Sequence, residues 1–164
     1  MPINTILHDN KSYLSFQAEG NAAQFIIPFA KKVCVGTGYD IGYCKEDWKL
    51  PGAIGVDIGD GKGFDANHLP EGQVDYIFSS HCLEHVENWS DTLDYWHSRI
   101  KKGGVLFLYL PDFSQTYWRP WNNKKHRAIM NPDYIRAFLE SKGCSNLFVS
   151  GIDLNNSFTI VCEI

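Results

Sequence analysis

The apolar positions of this chain fall into blocks with two different periods. "VDYIFSS" (74–80) and "GVLFLYLP" (104–111) are nearly unbroken apolar runs, the pattern of strands covered on both faces. "KVCV" (32–35) and "GAIGVDI" (52–58) are shorter runs of the same kind, and "GFD" (63–65) suggests a brief strand between them and the run at 74. Helical spacing governs other blocks. "NWSDTLDYWHSRIKKGG" (88–104) repeats Leu93, Trp96, His97 and Ile100 on one face. Asn88 or Ser90 caps its start, Lys101 and Lys102 suit its last turn, and Gly103 its stop. "NPDYIRAFLESKG" (131–143) has Asn131 as cap, Pro132 in the first turn, Gly143 at the end and Ile135, Phe138 and Leu139 as its buried face. "GNAAQFIIPFAKK" (20–32) predicts a helix that kinks or stops near Pro28, and "YCKEDWK" (43–49) a short one.

Two strands end the pattern, "NLFVSGI" (146–152) and "SFTIVCEI" (157–164), joined by the short "DLNN". That length suits a hairpin, so the last strand is expected to run antiparallel to its neighbour. Strands alternating with helices and then a hairpin describe an α/β fold, a mostly parallel sheet with an antiparallel end. Only residues 58–64 separate Asp57 from Asp65. A parallel crossover with a helix needs about a dozen residues, so the helix after the second strand is expected to be missing.

Composition narrows the class. With 164 residues, 44% of them hydrophobic, one domain spanning 1–164 has enough material for a core. A net charge of −4 gives no reason to expect nucleic acid or an anionic membrane as partner. The opening "MPINTILHDNKSYLSF" lacks the basic flank and apolar run of a signal peptide, and no segment is long enough to span a bilayer. Five scattered cysteines without a C-x-x-C pair speak against a zinc or disulfide framework and fit a reducing cytoplasm.

Candidate chemistry begins at Gly36-Thr37-Gly38, read as a turn after the first strand, where an open α/β sheet binds its ligand. Asp57 ends the second strand about twenty residues on, the place of an acid that accepts hydrogen bonds from a ribose diol. Asp40, in the expected loop, would repel a pyrophosphate. It suits a nucleoside ligand that carries positive charge and no phosphate, such as S-adenosylmethionine (SAM). His81, Glu84 and His85 in "SSHCLEH" suggest a metal site but lack a third firm ligand, so no metal is expected. The aromatic and basic stretch 112–131 has no regular period, and loops of that length are often functional.

"VCVGTG", "GAIGVDI", "DANHLP", "VDYIFSSHCLEHV" and "GGVLFLYLPD" follow one another in that order. Together they resemble the class I SAM-dependent methyltransferases, in particular small bacterial members with "LEH" after the fourth strand. The resemblance implies a Rossmann-like fold and SAM as cofactor. It assigns the methionine part to Gly36, Thr37 and Gly38, and the ribose to Asp57 with Ile58 beside the adenine. It assigns the adenine amino group to Asp65 and Ala66, and the floor under the sulfonium to Ser79, Ser80 and His81. Two positions depart from the family pattern. Cys34 stands where an acid usually precedes the first glycine by two places, and Asp40 stands at the third glycine.

The resemblance implies methyl transfer to an acceptor received by the segment after the fifth strand. The chain has no basic groove for nucleic acid and little room for a separate recognition domain, so the expected acceptor is a small molecule or a sugar. A base is needed only where the acceptor must lose a proton, and His81 leads that role ahead of His126 and Asp112. Two other readings stay open. One is a SAM- or nucleoside-binding module without turnover, favoured by the shortened middle. The other is a nicotinamide-dependent oxidoreductase, since Gly36, Gly38 and Gly42 have dinucleotide-like spacing.

Overall fold

A computed structural model describes residues 4–8, 10–15, 20–120 and 122–164. Its main sheet has six strands: β3 (Gly38–Ile41), β4 (Ile54–Val56), β5 (Val74–Ser80), β6 (Ile100–Pro111), β7 (Ser145–Val149) and β8 (Ser157–Glu163). Their order is β4-β3-β5-β6-β8-β7. β4, β3, β5 and β6 are parallel, and β8 runs antiparallel to both β6 and β7. The expected mixed sheet with a reversed end is therefore present. A separate hairpin, β1 (Thr5–His8) and β2 (Lys11–Leu14), precedes it.

Side chains alternate across the sheet with period two, and each face has its own core. Tyr39, Ile41, Ile77, Leu106 and Leu108 pack on one face with Leu93, Trp96, Ile135 and Leu139. These last four come from α2 (Trp89–Arg99) and α3 (Pro132–Ser141). Tyr76, Phe78 and Phe107 face the other way, onto Ala30 of α1 (Ala23–Val33), Leu50 and Ala53. The Asn131 side chain caps α3 as its sequence implies, accepting from Asp133 N at 2.8 Å and from Tyr134 N at 3.4 Å.

Four local expectations need correction. α1 neither stops at Pro28 nor gives way to a strand at 32–35. It continues to Val33, and Cys34 N still donates to Ala30 O at 2.7 Å. Pro28 forfeits one intrahelical bond, and burial of the face containing Ala30 and Ile27 offsets that loss. The first parallel strand therefore lies several residues later, at Gly38–Ile41. "GFD" joins no sheet. Asp65 and His68 exchange backbone hydrogen bonds of 3.0 and 3.1 Å, which spends their backbone groups in a local turn. Gly103 does not stop α2, which ends at Arg99. It sits within β6 at φ +77°, where the pairing of β5 with β6 shifts register. No α-helix connects β4 to β5 among the described residues, as the short spacing implies.

Candidate active site

The carboxyl ends of β3, β4 and β5 open into a cleft of about 1250 Å³. Gly42 makes the turn after β3. It holds φ +83°, and a Cβ there would lie 2.5 Å from Cys82 Cβ, so only glycine lets this turn approach the segment after β5. Gly42 N donates to Val56 O at 2.8 Å, which ties the turn to β4. Asp57, next in the chain, fixes the loops on both sides. Its Oδ2 accepts from Cys44 N at 3.1 Å and its Oδ1 from Gly59 N at 2.8 Å. Asp40 points to the α1 side of the sheet, where its Oδ2 accepts from Leu50 N at 2.6 Å. Burial dominates its titration and pushes the pKa up to about 7, against the lowering effects of the Leu50 N–H and Lys49.

The cleft gathers most of the residues singled out in the sequence. Asp57, Ile58, Asp65, Ala66, Ser80, His81 and His126 line it. Ile58 is 85% exposed there, an apolar side chain without a protein partner to cover it. Gly36, Thr37 and Gly38 do not line it. They lie at the opposite end of β3, where Thr37 N donates to Asp75 Oδ2 at 2.8 Å. Their glycines serve close packing: a Cβ on Gly36 would meet Asp75, and one on Gly38 would overlap the Tyr76 ring and carbonyl. Ser79 is also outside the cleft, fully buried, with its hydroxyl donating to Ile41 O at 3.0 Å. Asp112 is buried just past β6 and faces Ser114 N at 3.5 Å, away from the main cleft.

The error in the glycine turn has a readable cause. Once the strand is Gly38–Ile41, the acid two places before the first glycine is Asp40, and that glycine is Gly42. Cys34 and Asp40 are then no longer departures from the family pattern. Cys44 takes the place of the next glycine. Distant segments supply further walls that no sequence motif marks. Tyr117 and the 122–127 stretch line the cleft opposite β3. Lys45 lies 4.4 Å over the Trp48 ring on another wall.

The turn after β5 (Leu83–His85) buries a carboxylate among histidines. Glu84 is fully buried, and neither carboxylate oxygen accepts a hydrogen bond from another residue. Its Oε1 lies 3.6 Å from His81 Nδ1, 3.8 Å from His85 Nε2 and 3.9 Å from His126 Nε2. Burial raises the Glu84 pKa to about 7, partly countered by His85 and by its own backbone N–H. Burial, then His126 and His85, lowers that of His81 to about 3. His81 is therefore neutral, and its Nε2 shares a 2.8 Å hydrogen bond with Ser157 Oγ.

A family model described as a methyltransferase domain matches residues 9–148. The chain belongs to this methyltransferase family. Solved structures of similar fold agree with it. A SAM-dependent methyltransferase from Archaeoglobus fulgidus superposes with a TM-score of 0.64 at 16% identity, over 87% of this chain and 95% of that one. The N-methyltransferase NodS from Bradyrhizobium japonicum, in complex with S-adenosyl-L-homocysteine, gives 0.62 at 14% identity, over 91% and 87%. A possible histamine N-methyltransferase from Thermotoga maritima gives 0.64 at 13%, over 90% and 91%. No curated protein matches by sequence. The methyltransferase family is SAM-dependent, and the sheet has its Rossmann-like arrangement. No helix among the described residues is long and apolar enough to cross a membrane.

Proposed function

We propose that this methyltransferase binds SAM in the cleft at the carboxyl ends of β3, β4 and β5 and methylates a small-molecule or sugar acceptor. The observation that carries the reading is the Gly42 turn. It is a backbone cradle that a single Cβ would fill, beside a carboxylate at the end of the next strand. Those residues fit a nucleoside with a cationic amino-acid tail. Asp57 keeps lone pairs for the ribose diol beyond the two amides it already accepts. Ile58 offers an apolar face to the adenine, with Asp65 and Ala66 at its amino edge. The Gly42–Cys44 turn receives the methionine part, in place of Gly36–Gly38.

SAM supplies a methyl group on a positively charged sulfur. The protein's task is then to align an acceptor with that methyl and keep water out. Ser80 and His81 form the floor where the acceptor arrives. A histidine held near pKa 3 binds a proton weakly, so His81 suits orienting an acceptor better than stripping it. The 112–131 segment closes the acceptor side through Tyr117. A cytoplasmic setting belongs to the same proposal, supported by five free thiols.

Calorimetric titration with SAM, S-adenosylhomocysteine and NAD tests the cofactor. We expect saturable binding of the first two and none of NAD. Formation of S-adenosylhomocysteine over a panel of sugars and small hydroxyl, amine and thiol compounds tests the acceptor. Folded protein that binds NAD, or that fails to bind SAM, overturns the reading. Turnover confined to nucleic acid or protein acceptors overturns the acceptor class.

A further inference from the structure

We propose that Glu84, His85 and His126 form a binding site for one divalent transition-metal ion of the zinc class. The site does not rest on the SAM reading. Glu84 carries the argument. A carboxylate with no exposed surface and no hydrogen bond from another residue on either oxygen is costly unless something positive joins it. Facing it are imidazole nitrogens from two separate segments, the turn after β5 and the stretch before α3. The donor atoms of the three side chains all lie within 4.8 Å of one another.

The spacing suits a metal. Ligand atoms on a tetrahedral zinc, each about 2.0–2.1 Å from the ion, are roughly 3.3 Å apart. Here His85 Nε2 and His126 Nε2 are 3.8 and 3.9 Å from Glu84 Oε1, and all three donor atoms lie within 4.8 Å of one another, so side-chain closure by about 0.5–1.5 Å brings them to ligand spacing. One histidine is already oriented for ligation. His85 Nδ1 lies 2.8 Å from the Lys125 carbonyl, which can only accept. Nδ1 therefore carries a proton, and Nε2, which faces Glu84, is the nitrogen left to ligate a metal. The backbone fixes the two segments together, since Arg127 N and Ala128 N both donate to Glu84 O at 2.7 and 3.0 Å.

Two nitrogens and one carboxylate oxygen select a first-row transition ion over magnesium or calcium, which take oxygen shells. Glu84, His85 and His126 all line the cleft, and His85 is exposed, so an ion can reach the site from solvent. Three protein ligands leave a fourth position for water or for a donor atom of a bound acceptor.

The test uses untagged full-length protein stripped with a chelator and contains no SAM. Zinc affinity is measured by competition with a chromophoric chelator, and cobalt(II) is titrated while its visible d–d absorption is followed. We expect one ion per chain, a cobalt spectrum that saturates at that ratio, and a zinc-dependent rise in melting temperature. Glu84→Gln and His126→Ala should each weaken zinc binding by at least about a hundredfold. His68→Ala, a histidine outside the cleft, should not change it. Should the buried variants fail to fold, His85→Ala on the exposed side carries the same expectation. No saturable zinc or cobalt binding by the folded protein overturns the proposal, as does binding unaltered in folded His85→Ala. Loss of metal binding with SAM titration intact separates this site from the cofactor reading.

Discussion

Gly36 and Gly42 flank β3, and both adopt a backbone that side chains rarely take, at φ +99° and +83°. A Cβ added to either would sit 2.5 Å from a neighbour, Asp75 Oδ2 at one end and Cys82 Cβ at the other. By local criteria they are equivalent. Their surroundings are not. At the Gly36 end, an exposed carboxylate, Asp75, is held by Thr37 N and by Lys101 Nζ at 2.7 Å. At the Gly42 end, a buried carboxylate, Asp40, lies under an open cleft. A glycine in a strand-flanking turn thus marks close backbone packing. Whether a ligand benefits depends on which end of the strand it occupies.

The sharpest way to break this comparison is to add one methyl at each end. Gly42→Ala combines positive-φ strain with a clash against Cys82 and should cost about 2–5 kcal/mol of stability. Gly36→Ala should fall at the lower end of that range, because the nearest atom there is the mobile Asp75 Oδ2 and the fixed Asp75 Cβ is 2.9 Å away, against 2.5 Å for Cys82 Cβ at Gly42. Chemical denaturation gives these losses. Titration of the folded variants then separates the ends: Gly42→Ala should lose measurable SAM binding, and Gly36→Ala should keep it. Equal loss of SAM affinity in both would return Gly36 to the cofactor site.

The carboxylates at the two ends should also respond to pH in opposite directions. Asp40 has a folded pKa near 7, above its unfolded value of 3.8. The folded state holds a proton that the unfolded chain has released. Its contribution to stability is therefore full below about pH 4 and lost as pH rises through 7. Relative to Asp40→Asn, which keeps an acceptor for Leu50 N, the wild type should lose about 2–3 kcal/mol between pH 5 and 8. For a chain of this length that is a relative fall in melting temperature of about 5–10 °C. Asp75 is shifted down by the Lys101 and Thr37 hydrogen bonds, so its contribution is present above its unfolded pKa and lost only as pH falls below that value. Asp75→Asn should thus matter near neutrality and lose its effect in acid. Parallel melting curves for Asp40→Asn and wild type from pH 5 to 8 would show that Asp40 is ionised throughout.

A third change asks whether the cleft end binds through charge. Each hydrogen bond from a ribose hydroxyl to the Asp57 carboxylate is worth roughly 1.5–3 kcal/mol. Asp57→Ala should weaken SAM at least about tenfold. It also removes the acceptor for Cys44 N and Gly59 N, so loop order must be checked by amide exchange. Unchanged titration with the loops still protected would leave Asp57 as a loop brace only.

How much of this was legible follows from the residues involved. β5, β6 and α3 could be placed because their signals agree: unbroken apolar runs in the strands, and Asn131, Pro132 and Gly143 around the helix. β3 is hard to see in the sequence because its "GYDI" has a carboxylate in the middle, whereas "KVCV" just before it looks more like a buried strand. Only tertiary structure supplies the Leu50 amide that lets Asp40 be buried. The β1–β2 hairpin has a weak signal, because its short strands carry few apolar residues and the only turn cue among the described residues is Asn10, at φ +61°. Asp57 and His81 line the cleft because each directly follows a strand that the apolar pattern marks. His126 could be proposed but not joined to Glu84, since it lies in an irregular stretch where no period relates it to the turn after β5.

The smallest effect is expected on the wall opposite β3, where front and back of one segment can be told apart. Tyr117 lines the cleft, and its ring centroid is 5.8 Å from that of Tyr13 in β2. Behind it, Tyr13 is buried, and its hydroxyl lies 3.0 Å from Thr116 Oγ1. If this wall receives the acceptor, Tyr117→Ala removes an aromatic face worth about 0.5–1.5 kcal/mol to a flat ligand. The acceptor KM should then rise about two- to tenfold while SAM affinity stays level. Tyr13→Phe loses the hydrogen bond but keeps the ring, which should cost about 1 kcal/mol of stability. Its acceptor KM should move less than that of Tyr117→Ala, because its ring stays in place behind Tyr117. The wall is a packing element, and the acceptor lies elsewhere, if Tyr117→Ala lowers stability as Tyr13→Phe does and leaves the acceptor KM where it was.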